Sequence, residues 1–240
     1  MVRFPHCFMK NTFRSTCLAA LALASVFSIP LIAADDTKPV VEQISKDVFQ
    51  IGLVRMDKAA RTVRFPAKIC MTDGWIEYLV VTEKGKTHES LLLTAAQPQH
   101  IQVAMILLNA KGLNSRPFPE KHTEPIPGEQ VEVQIFWKDV KEKSARAESF
   151  VENVTAKAPM TKGPFVFNGS RIQEGQFIAQ RDGSILSLIT DQDALFNNPR
   201  PGRENDENWK VLAKGLPPLN TAVIVEFRLP PLPKPVEKPQ

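Results

Sequence analysis

The chain has 240 residues, with 30 Lys and Arg against 26 Asp and Glu, which gives a net charge of +4. Its first 34 residues hold three of the positive charges and no acid, so the rest of the chain has a net charge of only +1. This near balance removes the compositional basis for nucleic-acid binding. Cys7 and Cys17 lie in the same segment and leave Cys70 alone, which excludes an internal disulfide and any site built from several thiolates.

The N-terminal segment has the pattern of a signal peptide. Arg3, Lys10 and Arg14 form a positive region, the apolar run 18–27 follows, and small residues precede Asp35. The apolar run is shorter than the roughly 20 residues that span a bilayer. We therefore predict a signal peptide over 1–34, a periplasmic or secreted protein and no stable membrane insertion after cleavage; an uncleaved anchor is the alternative.

Four segments are predicted along the chain. They are the signal peptide at 1–34, a polar lead-in at 35–46, a single domain at 47–229 and a Pro-rich disordered tail at 230–240. Alternating apolar residues predict the first strand over Val48–Val54. A second strand is predicted over Thr62–Met71, in which Pro66 indicates an edge or a bulge.

The next stretch has the pattern of a β-hairpin. The residues Trp75–Thr82 are apolar on both faces and predict a central strand, and Thr87–Thr94 predicts its partner. Gly85 lies in the connection, where a tight turn favours a positive φ. Two registers remain open, with Thr82 opposite either Thr87 or Lys86.

A buried helix is predicted after the hairpin. Pro98 suits its first turn, apolar residues cover nearly its whole surface, and Gly112 is placed to end it. Beyond a Pro-rich loop, Gln130–Lys138 alternates clearly and predicts a strand. The remaining predicted strands are Ala145–Val151, Phe165–Phe167, Gln176–Ala179, Ser184–Ile189 and Ala222–Leu229.

One further helical turn is predicted over Asp191–Asn197, capped by Thr190 or Asp191. The elements together predict an α+β domain, mainly an antiparallel sheet with one buried helix and short helical turns.

The candidate binding residues are concentrated in the predicted hairpin: Glu77, His88, Glu89 and Ser90, together with the more distant Asp193. Imidazole and carboxylate groups can bind a ligand or a metal, and His88 and Glu89 are the candidate metal ligands. Neither hairpin register brings two of these ligands together without help from a third element. Buried polar groups that hold the sheet together are the alternative interpretation.

Known catalytic motifs fail at specific positions. The His88-Glu89 pair lacks the second His of H-E-x-x-H, since Leu92 stands there. The sequence Gly85-Lys86-Thr87 lacks the first glycine of a P-loop, since Val80 stands there. No G-x-S-x-G elbow accompanies Ser90. An enzyme is therefore less expected than a binding protein.

Five blocks of the sequence together resemble the YdjY domain family of exported bacterial proteins. The blocks are Phe65-Pro66-Ala67, Gly74-x-Ile76-Glu77-Tyr78, Gly85-Lys86-x-His88-Glu89-Ser90, Phe167-x-Gly169-Ser170 and Asp193-Ala194-Leu195-x-x-Asn198-Pro199. The resemblance covers roughly 48–229 and implies an exported bacterial domain without an established activity. Some members carry a ferredoxin-like label, but a single cysteine cannot hold a cluster, so no cofactor is expected.

Three functions remain open from the sequence. The first is an exported, non-enzymatic module that binds a ligand or a metal around residues 75–90. The second is an accessory protein of a periplasmic redox or envelope system, with an envelope protein as its partner. The third is a hydrolase.

Overall fold

The computed structural model describes residues 39–113 and 116–232. The predicted signal peptide and residues 233–240 of the predicted tail lie outside these ranges. Within them the strands of the first half are β1 (Glu42–Ser45), β2 (Val48–Ile51), β3 (Val54–Asp57), β4 (Thr62–Ile69), β5 (Tyr78–Thr82), β6 (Ser90–Thr94) and β7 (Glu129–Lys138). The later strands are β8 (Glu142–Arg146), β9 (Val151–Asn153), β10 (Ala158–Pro159), β11 (Phe165–Phe167), β12 (Ile172–Gln173), β13 (Gln176–Phe177), β14 (Ser184–Ser187), β15 (Phe196–Asn197), β16 (Trp209–Val211) and β17 (Ala222–Arg228).

Eight of the described strands close into a mixed β-barrel. Their order around the barrel is β4, β17, β7, β11, β15, β14, β5 and β6, and β6 pairs back with β4. The pairs β5–β6 and β14–β15 are parallel, and the other neighbours are antiparallel. The predicted α+β class is therefore wrong: the structure is mostly β, with 39% strand and 13% helix.

The predicted hairpin is a second error, in the direction of a strand. The residues 83–89 do not turn the chain back; they carry it across, through a 3₁₀ turn at Thr87–Glu89, so that β6 runs parallel to β5. Tyr78 lies opposite Ser90 and Val80 opposite Leu92, so neither predicted register occurs. A parallel pair needs such a crossover, and here it is unusually short.

The helices are α1 (Pro98–Leu107) and α2 (Ile178–Asp182). Ile101, Ala104 and Met105 of α1 are buried, but Ile106 and Leu107 are exposed, so the helix is not buried all round as predicted. It ends before Asn109, which has a positive φ of 58°, and not at Gly112. Among the described residues no helix has the length and hydropathy needed to span a membrane.

Several further predicted segments have different ends in the structure. The predicted strand Val48–Val54 is two strands, β2 and β3, joined at Gly52 with a φ of 55°. The second half of the predicted strand Gln176–Ala179 is the start of α2. The segment Glu42–Ser45, expected to be lead-in, forms β1 on β2.

Pro66 occupies a position in β4 where its missing N–H costs no ladder bond. The residues 62–64 of β4 pair with β3, and Lys68 and Ile69 pair with β6. Pro66 falls between these two pairings, and its carbonyl accepts a 2.6 Å hydrogen bond from the Thr94 hydroxyl. The sequence predicts an edge or a bulge at Pro66. The structure has a gap on one side of β4 there, while the pairing with β17 continues through Pro66, opposite Ile224, without a shift.

The barrel interior forms the core. Inward residues of β17 alternate as the pattern predicts, since Val223, Val225 and Phe227 are buried. Phe227 packs against Phe65 and Phe196, with ring centroids 5.3 and 4.2 Å away. Aromatic side chains from three barrel strands therefore meet at this point.

Candidate functional site

The crossover between β5 and β6 brings most of the predicted site residues together. The backbone N–H of Glu77 donates to the carbonyl of Glu89 at 2.9 Å, which holds the residue before β5 against the residue before β6. The carbonyl of Glu77 accepts from the N–H of Leu188 at 2.7 Å, at the end of β14. Two neighbouring segments of the barrel wall thus fix the backbone of Glu77.

Lys86 joins the two predicted carboxylates. Its Nζ donates to Glu77 Oε2 at 2.5 Å and lies 3.4 Å from Glu89 Oε2. The hydrogen bond to Glu77 raises the pKa of Lys86. Sequence reasoning missed this residue, although its spacing of three from Glu89 across a helical turn is a known signal for an ion pair.

His88 does not join a metal-binding group. Its side chain is 76% exposed, and its Nε2 lies 3.8 Å from Glu89 Oε1. In the described ranges no three His, Cys, Asp or Glu residues are arranged to hold a metal ion. The geometry therefore gives the metal hypothesis for His88 and Glu89 no complete ligand set.

Ser90 is a structural residue. Its side chain is fully buried, and its hydroxyl donates to the carbonyl of Lys86 at 2.6 Å, which closes the 3₁₀ turn. The thiol of Cys70 donates to the Ser90 carbonyl at 3.0 Å. Partial burial raises the pKa of Cys70 to about 11, so the thiol stays protonated and unreactive at neutral pH.

Asp193 does not bond to the other candidate residues but to residues 170 and 171. Its carboxylate accepts from Arg171 Nε at 2.5 Å, and its carbonyl accepts from the Ser170 hydroxyl at 2.6 Å. The predicted helical turn at Asp191–Asn197 is wrong, because these residues form a non-helical turn and then β15. Asp191 nevertheless caps a backbone N–H, since its Oδ1 accepts from Asp193 at 2.8 Å.

Tyr78 and Asp191 form a buried polar pair beneath this turn. The Tyr78 hydroxyl donates to Asp191 Oδ2 at 3.0 Å. Burial raises the pKa of the Asp191 carboxyl, and burial together with the charge of Asp191 raises the pKa of Tyr78. The bond ties β5 to the crossover between β14 and β15.

Trp75 is the most exposed aromatic group beside the ion-paired residues. It is 46% exposed, whereas the next residue, Ile76, is fully buried. The prediction that Trp75 begins a central strand is therefore wrong: β5 begins at Tyr78. Trp75 instead forms an isolated bridge with Lys210, whose Nζ lies 6.0 Å from the indole centroid.

These contacts define one continuous surface, called here the Trp75 face. Trp75 and Glu77 lie on the same side of the chain, since Ile76 between them points inward. Lys210 adjoins Trp75 on one side, and Glu89 adjoins Glu77 on the other. The Trp75 face consists of Asp73, Trp75, Glu77, Lys86, His88, Glu89 and Lys210.

A separate cavity of about 330 Å³ lies where β7 meets the end of β17. It is lined by Gln130, Val131, Glu132, Pro164, Arg228, Leu229, Pro230 and Pro231. The charged groups at its rim are paired, Glu132 with Arg146 and Arg228 with Glu226. Its lining has no aromatic side chain, so this cavity is a weaker candidate than the Trp75 face.

The fold and the site describe a mostly-β domain, a closed mixed barrel with a charged aromatic surface at one crossover. The family model for the YdjY domain matches residues 54–228, a range that contains all eight barrel strands. The chain belongs to the YdjY domain family. No curated protein and no solved structure gives a significant match.

Proposed function

We propose that the protein is an exported, non-enzymatic binding module that engages its ligand through the Trp75 face. The half-exposed indole carries the proposal. A tryptophan that is not buried in its own fold offers a large, rigid contact area at little entropic cost, and such residues are enriched in binding sites. Its charged neighbours are already oriented by hydrogen bonds and ion pairs.

The same geometry favours binding over the hydrolase alternative. A serine nucleophile needs a base within hydrogen-bond reach. The Ser90 hydroxyl is buried and bonded to the Lys86 carbonyl, while the exposed His88 contacts Glu89. This arrangement supports ligand binding over nucleophilic catalysis at this surface.

The proposal of export comes from the sequence of residues 1–34. Mass spectrometry of the protein recovered from the periplasm or medium of an expressing bacterium tests the proposal of export. We expect a chain that begins near Asp35, and recovery of the full-length chain from the cytoplasm would contradict export.

Thermal unfolding with and without probes tests binding through the Trp75 face. The probes are neutral hexasaccharides (cellohexaose, chitohexaose and maltohexaose) and a nona-arginine peptide. A ligand at one hundred times its Kd adds about 2.7 kcal/mol, which raises the Tm of a domain of this size by roughly 5–10 °C. We expect such a rise with one class of probe, and its loss in Trp75→Ala.

Ile224→Ala is the matched control, because Ile224 is a comparably exposed apolar residue on β17, outside the Trp75 face. It should keep the rise in Tm. If no probe raises the Tm, or if Trp75→Ala keeps the rise, the proposed function is wrong.

A further inference from the structure

We propose that the ligand of the Trp75 face is a neutral saccharide. One sugar ring stacks on Trp75, and its hydroxyl groups bond to the charged side chains on both sides. The inference rests on the proposed function and specifies its ligand class.

The first argument is the order of side chains across the face. Lys210 lies opposite Trp75 in the bridge, so both side chains project to the same side. Glu77 follows two residues along the chain, about 7 Å from Trp75. Polar groups therefore flank the indole at a distance that the hydroxyls of a single stacked sugar ring can reach.

The second argument is the balance of charge. The face has three carboxylates, on Asp73, Glu77 and Glu89, and two ammonium groups, on Lys86 and Lys210. Lys86 lies between Glu77 and Glu89, and Lys210 Nζ lies 3.8 Å from Asp73 Oδ1. An anionic ligand would have to displace a carboxylate from one of these ammonium groups, whereas a neutral ligand leaves the ion pairs in place. A cationic peptide is the competing ligand, which the experiment below includes.

The third argument is the hydrogen-bonding capacity left on the face. The Glu89 side chain is 34% exposed, and its Oε1 lies 3.8 Å from His88 Nε2, too far for a hydrogen bond, so this oxygen can accept from a ligand. Lys210 is too far from Asp73 for a hydrogen bond, so its ammonium protons are free to donate. The face thus offers an acceptor and a donor beside an apolar ring. Sugar hydroxyls both donate and accept, and the C–H face of a sugar suits an indole.

Isothermal titration calorimetry of the purified protein with the three hexasaccharides tests the inference, at 50 mM and 500 mM NaCl. We expect at least one hexasaccharide to bind with an affinity that changes less than twofold between the two salt concentrations, because no net charge is paired on binding. Trp75→Ala should weaken binding at least tenfold, and Trp75→Phe should weaken it less. Glu89→Gln should weaken binding less than Trp75→Ala does, since the amide oxygen still accepts a hydroxyl.

Ile224→Ala and Asp139→Asn are the controls, the second because Asp139 forms an exposed ion pair with Lys143, remote in sequence from the face. Both should bind as the wild type does. A second outcome is that only the nona-arginine peptide binds, and that its binding needs Trp75 and is lost in Glu89→Gln and at 500 mM NaCl. The proposed ligand class is then wrong, and the proposed function stands. If no probe binds, or if Trp75→Ala binds normally, both are wrong.

Discussion

Glu148 is a fully buried carboxylate that lies between two arginines. Its Oε1 accepts from Arg146 Nη2 at 2.8 Å, from the backbone of Gly163 at 3.0 Å and from Arg200 Nη2 at 3.3 Å. The Arg200 guanidinium stacks 4.7 Å from the Phe165 ring, and burial lowers the pKa of Arg200 to about 10. Glu148 is thus the countercharge that lets Arg200 remain buried and protonated.

The first prediction concerns this carboxylate. Glu148→Gln should lower the free energy of unfolding by about 3–5 kcal/mol, because it leaves buried Arg200 without its countercharge. Urea unfolding at pH 7 measures the loss. Asp139→Asn, which breaks an exposed ion pair, should cause no measurable change. Equal losses in the two variants would contradict the role of Glu148.

At the residue scale, the acidic residues of the candidate site could be selected from the sequence. Their contacts and the exposure of their neighbours could not. Glu77 and Glu89 both lie near Lys86 Nζ. Lys86 was missed because its position between them depends on the parallel crossover. The exposure of Trp75 could not be read from a run of apolar residues, since the position at which β5 begins is set by pairing with β6 and β14.

At the element scale, the crossover between β5 and β6 depends on two glycines. A Cβ on Gly85 would lie 2.8 Å from Val81 Cβ, and a Cβ on Gly183 would lie 2.3 Å from Thr82 Oγ1 and 2.6 Å from Gly85 N. Gly183 also has a φ of 71°, at the end of α2. The absence of side chains therefore lets the crossover pack directly on the turn before β14.

The second prediction uses a pair of glycines in the same conformation. Gly183→Ala should cost about 2–5 kcal/mol, from a left-handed backbone and from overlap with the crossover. Gly175→Ala is the matched control, because Gly175 has a φ of 77° and meets nothing within 4 Å among the described residues. It should cost only about 1–2 kcal/mol, from the backbone alone. Urea unfolding of both variants gives the difference, and equal costs would rule out the packing role.

The position of a strand could be predicted where apolar residues alternate clearly, but the directions of the strands could not be predicted. The strand predicted at Gln130–Lys138 agrees with β7 within one residue, because alternation is a local property of the sequence. Gly85 was interpreted as a hairpin turn with a positive φ, but it does not have one, and its lack of a side chain is needed for close packing. That requirement comes from Val81 in β5, at 2.8 Å, and from the carbonyl of Gly183, at 3.1 Å, and the second contact is with a residue remote in sequence.

At the scale of the whole molecule, the barrel closes through a narrow seam. Only Lys68–Leu93 and Ile69–Leu92 pair β4 with β6, whereas β17 pairs with β4 over its whole length. Beside the seam, Thr94 donates to the Pro66 carbonyl and accepts from the Ala96 N–H at 3.0 Å. One hydroxyl therefore satisfies two backbone groups where the ladder is interrupted.

The third prediction concerns this seam. Thr94→Val keeps the shape of the side chain but leaves both backbone groups without their partner, which should cost about 2–4 kcal/mol. Hydrogen exchange should become faster at the seam, including the Cys70 amide bonded to Leu91, and by a larger factor there than in β17. Thr161→Val, at an exposed residue, is the control. Unchanged exchange at the seam would contradict the prediction.

The place of β17 in the barrel sets the order in which the protein can be completed during synthesis. Residues 222–228 are the last barrel strand in the chain, yet they lie between β4 and β7. A ribosome that has made the first 211 residues has synthesised every other barrel strand, while β4 and β7 still lack the strand that lies between them. Open strand edges are prone to pairing with other chains. A nascent chain must therefore be kept from aggregating until its last strand emerges, and a premature stop codon before residue 222 would yield a barrel that cannot close.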